Sequence, residues 1–169
     1  MADEIVNRVA NSVLEVIDLE DLYPSGERVV FDISKWLYEG FVLREKEFRL
    51  HVANCDWSKF QDAYIALTCS TDAIVPAWAY MLVSLQLEPF AKQTVVGSLE
   101  QLESSIFQNQ LTEFDVKPFQ DKPVIIKGCS NKPVPLNAYI FLAQKLRSVA
   151  KSIMYGEACS SVPLYKHKK

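Results

Sequence analysis

No glycine-rich phosphate loop is written in this chain. Neither G-x-x-x-x-G-K-[ST] nor G-x-G-x-x-G occurs among its 5 glycines, so a backbone cradle for nucleotide phosphates has no motif to rest on. No Cys-x-x-Cys pair occurs, so any metal site would have to be assembled by the fold. Only 2 histidines are present, and neither accompanies a cysteine locally, which leaves a Cys–His catalytic pair without a sequence signature. Basic residues are not in excess. A net charge of -3 argues against nucleic acid, whose phosphates demand a clustered basic surface. The one basic run, Lys166-His167-Lys168-Lys169, reads as an exposed solubilising tail. The longest apolar stretch, Ala73 to Val83, carries Pro76 and is too short to cross a bilayer. Met1-Ala2-Asp3-Glu4 lacks the basic-then-apolar layout of a signal peptide. These absences lead to the expectation of a soluble, cytoplasmic protein with reduced thiols and no nucleic-acid or membrane partner.

What is present is an ordinary globular composition, 49% hydrophobic and 23% charged, in 169 residues with no Pro/Gly/Ser-rich linker. That size supports a core without metal or disulfide staples, and the expectation is a single domain, 1–169. Residues Ile5 to Leu19 fit either a helical face or a short strand. Arg28 to Phe31 reads as a strand ending at Asp32, and Trp36 to Leu43 as a short edge strand interrupted by Gly40. Arg44 to Asn54 is helical, with Phe48 and Val52 four apart. Ala63 to Leu67 is apolar nearly throughout, which suits a strand covered on both faces. A helix starts near Pro76, where the missing N–H costs nothing. It is apolar almost all round, so it is expected to be the most buried helix. Gln93 to Val96 is a strand, and Ser98-Leu99-Glu100-Gln101 is a capping box opening the next helix. Pro123 to Lys127 is a strand, Pro135 to Val149 a helix, and Ser152 to Tyr155 the last strand. Strands alternating with helices predict an α/β fold, a mainly parallel sheet flanked by helices.

Three of the four cysteines share a local setting: an apolar run, Cys-Ser, a short turn and Val-Pro. The pairs are Cys69-Ser70, Cys129-Ser130 and Cys159-Ser160, followed by Val75-Pro76, Val134-Pro135 and Val162-Pro163. Right-handed crossovers bring strand ends to one edge of a parallel sheet, where α/β proteins bind ligands. Thiolates are soft ligands, so the sharpest reading is a transition-metal site, for zinc or an iron–sulfur species, built from Cys69, Cys129 and Cys159. Glu157 and Asp72 are the nearby candidates for a further position, and His51 is one if its helix packs over that edge. A cysteine just before a helix start also feels the positive end of the dipole. An enzyme or small-ligand site using an activated thiol at Cys69 or Cys129 therefore stands as a second reading. The third reading is a binding adaptor whose cysteines are merely buried in tight turns. Cys55, outside the pattern, reads as packing. Lys127 and Lys132 could attract an anion or simply be solvated. Asp32 could line a pocket or cap the next turn.

Several long segments resemble a bacterial family catalogued as domain of unknown function 2480. They are Lys127 to Pro135, Tyr155 to Lys166, Asp72 to Met81 and Glu4 to Ser12. The resemblance covers nearly the whole chain. It implies an association with iron–sulfur assembly proteins, because similar proteins tend to be encoded near that machinery. It carries over the three cysteine positions as the site and neither names a metal nor implies a catalytic residue.

Overall fold

A computed structural model describes residues 14–128 and 131–167. Cys129 and most of the ambiguous Ile5–Leu19 segment lie outside the described residues. Among the described residues seven strands and four α-helices follow one another as β1 Glu15–Asp18, β2 Arg28–Asp32, α1 Glu45–Asn54, β3 Tyr64–Thr68, α2 Ala77–Leu87, β4 Gln93–Val96, α3 Leu99–Glu113, β5 Pro123–Lys127, α4 Leu136–Leu146, β6 Ser152–Glu157 and β7 Ser160–Lys166. The class is α/β, with every pairing parallel except the last. The strands fall into two sheets, ordered β1-β5-β6-β7 and β2-β3-β4.

The chain accordingly divides into two compact units. One is continuous, Pro24–Ile106; the other is split, Met1–Tyr23 with Phe107–Lys169. The continuous unit places β3 at the centre of its sheet. Ile65 and Leu67 point into a core with Phe31, Phe48, Val83 and Leu87. Tyr64 and Ala66 point the other way, onto Leu102 and Ile106 of α3. Both faces are thus covered, as the near-continuous apolar run of β3 required. The split unit packs Val124, Ile126 and Ile153 of its sheet against Leu142 and Leu146 of α4 and against Phe107 and Leu111.

The two units repeat one architecture. At one constant offset Tyr64 matches Pro123, Ala77 matches Leu136 and Gln93 matches Ser152, so β3, α2 and β4 correspond to β5, α4 and β6. Phe60-Gln61-Asp62 and Phe119-Gln120-Asp121 occupy the same place in both. Asp62 and Asp121 share a left-handed backbone (φ 59 and 57), which a short polar side chain tolerates. Their amides donate at 2.9 Å to Phe90 O and Val149 O respectively. The first strands correspond too: Asp18 and Asp32 each end a strand and cap a following 3₁₀ turn, accepting at 3.0 Å from Glu20 N and Ser34 N. The split unit is therefore a copy of the continuous unit's layout, interrupted after its first strand and turn by the continuous unit itself.

Three local expectations are corrected. Ile33–Trp36 is a 3₁₀ turn, and the supposed edge strand beyond it is a tight loop closed by one bridge between Tyr38 and Val42. Helix α2 buries Ala79, Val83 and Leu87 but leaves Met81 and Leu85 about two-thirds exposed (62% and 66%). An all-round apolar composition does not by itself supply a second surface to pack against, and α3 instead has the most buried side chains of the four helices. Strand β7 was not foreseen. It turns back on β6 through a two-residue turn, with Pro163 in the outer strand opposite a register shift at Ile153/Met154. An edge strand with a bulge is where proline's missing donor is tolerated. The capping box is as expected, with Ser98 N donating to Gln101 Oε1 at 2.8 Å and Gln101 N to Ser98 Oγ at 3.3 Å.

Candidate functional site at the strand ends

Each sheet ends its parallel strands on one edge, and the candidate residues sit in the loops there. In the continuous unit, Asp32 at the end of β2 reaches the loop after β3. Its carboxylate accepts from Ser34 N and Ser70 N, both at 3.0 Å, and from Ser70 Oγ at 2.6 Å. Ser70 Oγ also lies 3.0 Å from Ser34 Oγ. Burial pushes the Asp32 carboxyl up, but the hydrogen bonds from Ser70 and Ser34 outweigh it and hold the pKa at about 2. Asp32 is thus an anion fully engaged as a clamp between two strand-end loops. A base so weak is a poor activator of Ser70.

Cys69, the first residue after β3, is half-buried. Its sulfur lies 3.5 Å from Thr71 O and 3.4 Å from Thr71 Oγ1, while Thr71 Oγ1 donates to Gly40 O at 2.6 Å. Ser70, the next residue, gives its hydroxyl to Asp32 rather than to the Cys69 sulfur. Tyr80 of α2 faces this corner. Its phenol is pushed up by burial first, then by the charges of Cys69 and Asp32. Asp72 is exposed and borders an apolar hollow with Phe41, Ile74 and Trp78. His51 does not approach Cys69 in the manner expected of a ligand; its ring stacks on Trp36, with centroids 5.7 Å apart.

In the split unit, Glu157 is the exposed last residue of β6, and Cys159 is exposed in the turn between β6 and β7. Cys159 therefore precedes a strand rather than a free tail. Lys127 closes β5 two positions before Cys129, and β5 and β6 are neighbours with Ile126 opposite Tyr155. Lys127 Nζ pairs with Asp18 at 3.2 Å, and Lys132 Nζ donates to Glu20 O at 2.8 Å, so both lysines are used in holding the loop. Glu20 Oε1 also accepts from Asn131 N at 3.1 Å.

The three cysteines are not equivalent positions of the repeat. Cys69 matches Gly128, and Cys129 matches Ser70. Cys69 follows a strand of one sheet, whereas Cys129 and Cys159 follow adjacent strands of the other. Cys55, Cys69 and Cys159 are free thiols. Among the described residues no group of three or more His, Cys, Asp or Glu side chains is gathered closely enough to hold a metal ion. No helix among the described residues is long and apolar enough to cross a membrane. The Asp32 clamp is the feature sequence reasoning weighed least, although a strand-end aspartate two residues before Ser34 was signal enough for a cap.

A family model matches residues 3–167 of the chain. The chain belongs to the family described as protein of unknown function (DUF2480). No curated protein and no solved structure shows significant similarity to it. Membership in DUF2480 agrees with the segments that carried the resemblance and assigns no chemistry to any of them.

Proposed function

We propose that the protein handles a soft transition metal, zinc or an iron–sulfur species, through the strand-end cysteines of the split unit, with Cys129, Cys159 and Glu157 as donors. One observation carries this reading. Strands β5 and β6 are adjacent and parallel, so the chain leaves both at the same edge, and each leads within two residues to a cysteine. Adjacent strands lie about 4.8 Å apart, close to the span that one tetrahedral metal bridges between two thiolates. Glu157 supplies an oxygen donor on the same edge, and an exposed site leaves room for water or a partner's ligand. Cytoplasmic iron–sulfur assembly proteins are the partners this chemistry fits.

The test is elemental analysis and absorption spectroscopy of protein prepared without oxygen. Near one equivalent of zinc, or iron with sulfide, is expected. Cys129→Ser and Cys159→Ser are each expected to lower retention at least tenfold, because metal affinity follows thiolate count. Cys55→Ser is expected to change nothing. Cys69→Ser, with Asp72→Asn, forms a separate arm for the wider three-cysteine set: loss there extends the donor set, and retention confines it to the split unit. Equal retention in the Cys129, Cys159 and Cys55 variants would sink the reading.

A further inference from the structure

Beside the edge strand β2 the continuous unit opens a cleft of about 270 Å³. Its wall includes Asp32, Lys35 and Trp36 from the strand end and its 3₁₀ turn, and Cys55, Lys59 and Phe60 from the end of α1 and the turn before β3. An aromatic cluster forms its base. Phe31 lies 5.0 Å from Trp36, 5.7 Å from Trp57 and 5.6 Å from Phe60, centroid to centroid. Neither Lys35 nor Lys59 belongs to an ion pair among the described residues. The Asp32 carboxylate, the anion in the same wall, is already engaged by Ser34 and Ser70. Two exposed lysines therefore line a cleft whose wall is partly aromatic, and the local negative charge is directed into a loop clamp.

The repeat supplies an independent observation. Lys35, Trp36, Cys55 and Lys59 correspond in the split unit to Asp21, Leu22, Phe114 and Pro118. There Leu22 and Phe114 pack on the core, and Phe114 stacks on Phe119 at 6.0 Å. The same backbone frame thus carries apolar side chains packed on the core in one copy and a cleft with lysines and a thiol at its rim in the other. Folding does not require the cleft, because the split unit reaches the same layout without its lining.

We propose that this cleft binds a small organic anion, a carboxylate or similar acid on a planar apolar body, with Lys35 and Lys59 on the charge and Trp36 and Phe60 on the body. Its volume lies near the lower bound of small-molecule sites, about 300 Å³, so the occupant is a compact metabolite rather than a nucleotide. Lys59 Nζ sits 5.1 Å from the Phe60 ring centroid, which holds the cation at the rim beside the apolar surface. This site involves no residue of the proposed metal site, and the two readings fail separately.

Cys55 is a built-in reporter. Burial pushes its thiol up, Lys59 draws it down and Asp56 pushes it up, so slow alkylation that responds to an anion seated beside Lys59 is the expected behaviour. The experiment follows iodoacetamide labelling of Cys55 in the full chain, located by peptide mass, with naphthalene-2-carboxylate as probe and naphthalene-2-carboxamide as its neutral twin. Ligand-observed NMR of both compounds is the second readout. Saturable protection by the carboxylate is expected, with binding at least about fivefold weaker for the carboxamide. Lys35→Gln and Lys59→Gln are each expected to weaken the carboxylate about fivefold, whereas Lys117→Gln, on the split unit's 3₁₀ turn, leaves it unchanged. Equal protection by the neutral twin, no protection at millimolar carboxylate, or wild-type binding by the Lys35→Gln/Lys59→Gln double variant would overturn the proposal.

Discussion

In the continuous unit, the loop from Cys69 to Val75 is tied down from β2, with Asp32 gripping Ser70 by backbone and side chain. In the split unit, the described residues beside the matching loop are held from β1 and its turn. Glu20 accepts from Asn131 N, Lys132 reaches back to Glu20 O, and Asp18 pairs with Lys127. The strand-end aspartate and its 3₁₀ cap are common to both, but the anchors supplied by Glu20 and Lys132 stand where the continuous unit has Ser34 and Ala73. A cap is satisfied within two residues by local geometry, so it appears wherever the layout recurs. The loop anchors depend on which side chains two separate strands deliver to the same edge, and these differ between the copies. The difference teaches that the repeated frame is a scaffold on which two unlike strand-end surfaces have been built, one of them thiol-bearing and exposed, the other clamped and flanked by a cationic cleft.

The sharpest break of this comparison is at the start of the first strand. Arg28 in β2 donates to Glu103 Oε1 at 2.8 Å, to Pro24 O at 2.8 Å and to Gly26 O at 2.7 Å. The ion pair is mostly buried, with side chains 13% and 9% exposed. The corresponding residue of the split unit is Leu14. Transplanting that solution as Arg28→Leu strands a buried Glu103 and is expected to cost about 3 kcal/mol in urea unfolding. Arg28→Leu with Glu103→Leu should recover most of the loss, because an apolar pair of similar size avoids the unpaired charge. No recovery would mean that the carbonyl contacts of Arg28, rather than the ion pair, hold the turn.

An exchange at the first loop position comes next. Gly128 has Tyr139 directly over its Cα: an added Cβ would meet the phenol oxygen and lie 2.9 Å from Cζ. The ring is itself packed edge-on against Tyr155 at 5.8 Å, so it cannot step aside freely. Gly128→Cys, the continuous unit's residue, is expected to destabilise by about 2 kcal/mol through this overlap. Cys69→Gly, the reverse exchange, is expected to cost about 1 kcal/mol from added backbone freedom and lost packing. Equal effects would show the two loops to be interchangeable.

A further effect depends on pH. The folded carboxyl of Asp32 titrates at about 2 against 3.8 for the free side chain. A depressed carboxyl stabilises the folded state fully above its unfolded value, and that contribution fades as pH falls through the folded one. Asp32→Asn is therefore expected to cost roughly 1–2 kcal/mol at pH 7, with the gap to wild type closing between about pH 4 and pH 2. A gap that persists unchanged at pH 2 would assign the loss to hydrogen-bond geometry rather than charge.

Much of the layout was legible because its causes are short-range. The capping box at Ser98, the proline before α2, the four-residue spacing of Ala138, Leu142 and Leu146, and the two-faced run of β3 each act within a few residues. The stretch Trp36 to Leu43 was misread as an edge strand because Trp36, Leu37 and Leu43 pack on an aromatic core rather than on a sheet face. Strand β7 went unseen because Pro163 reads as a breaker, and only an edge position with a bulge accommodates it. At the candidate site, the cysteine positions were visible from the repeated Cys-Ser setting, but their register was not. The shared Cys-Ser pair hides the one-residue shift that aligns Cys69 with Gly128, which shows only on counting back from the Val-Pro pairs, six residues to Cys69 and five to Cys129. Asp32 was visible as a strand-end acid; that it grips Ser70 depends on a contact 38 residues away in the chain.

The sequence by itself determined the α/β class, the identity of most elements and their caps, since these follow from side-chain periodicity and backbone chemistry over one or two turns. Tertiary structure alone decided that the strands form two sheets, that one unit interrupts its own likeness, and that a cleft opens in one copy at positions where the other sets Leu22 and Phe114 against its core. Those outcomes rest on pairings such as Asp18 with Lys127, formed between segments far apart in the chain. They are selected by which apolar faces can be buried together, and no local pattern encodes that choice.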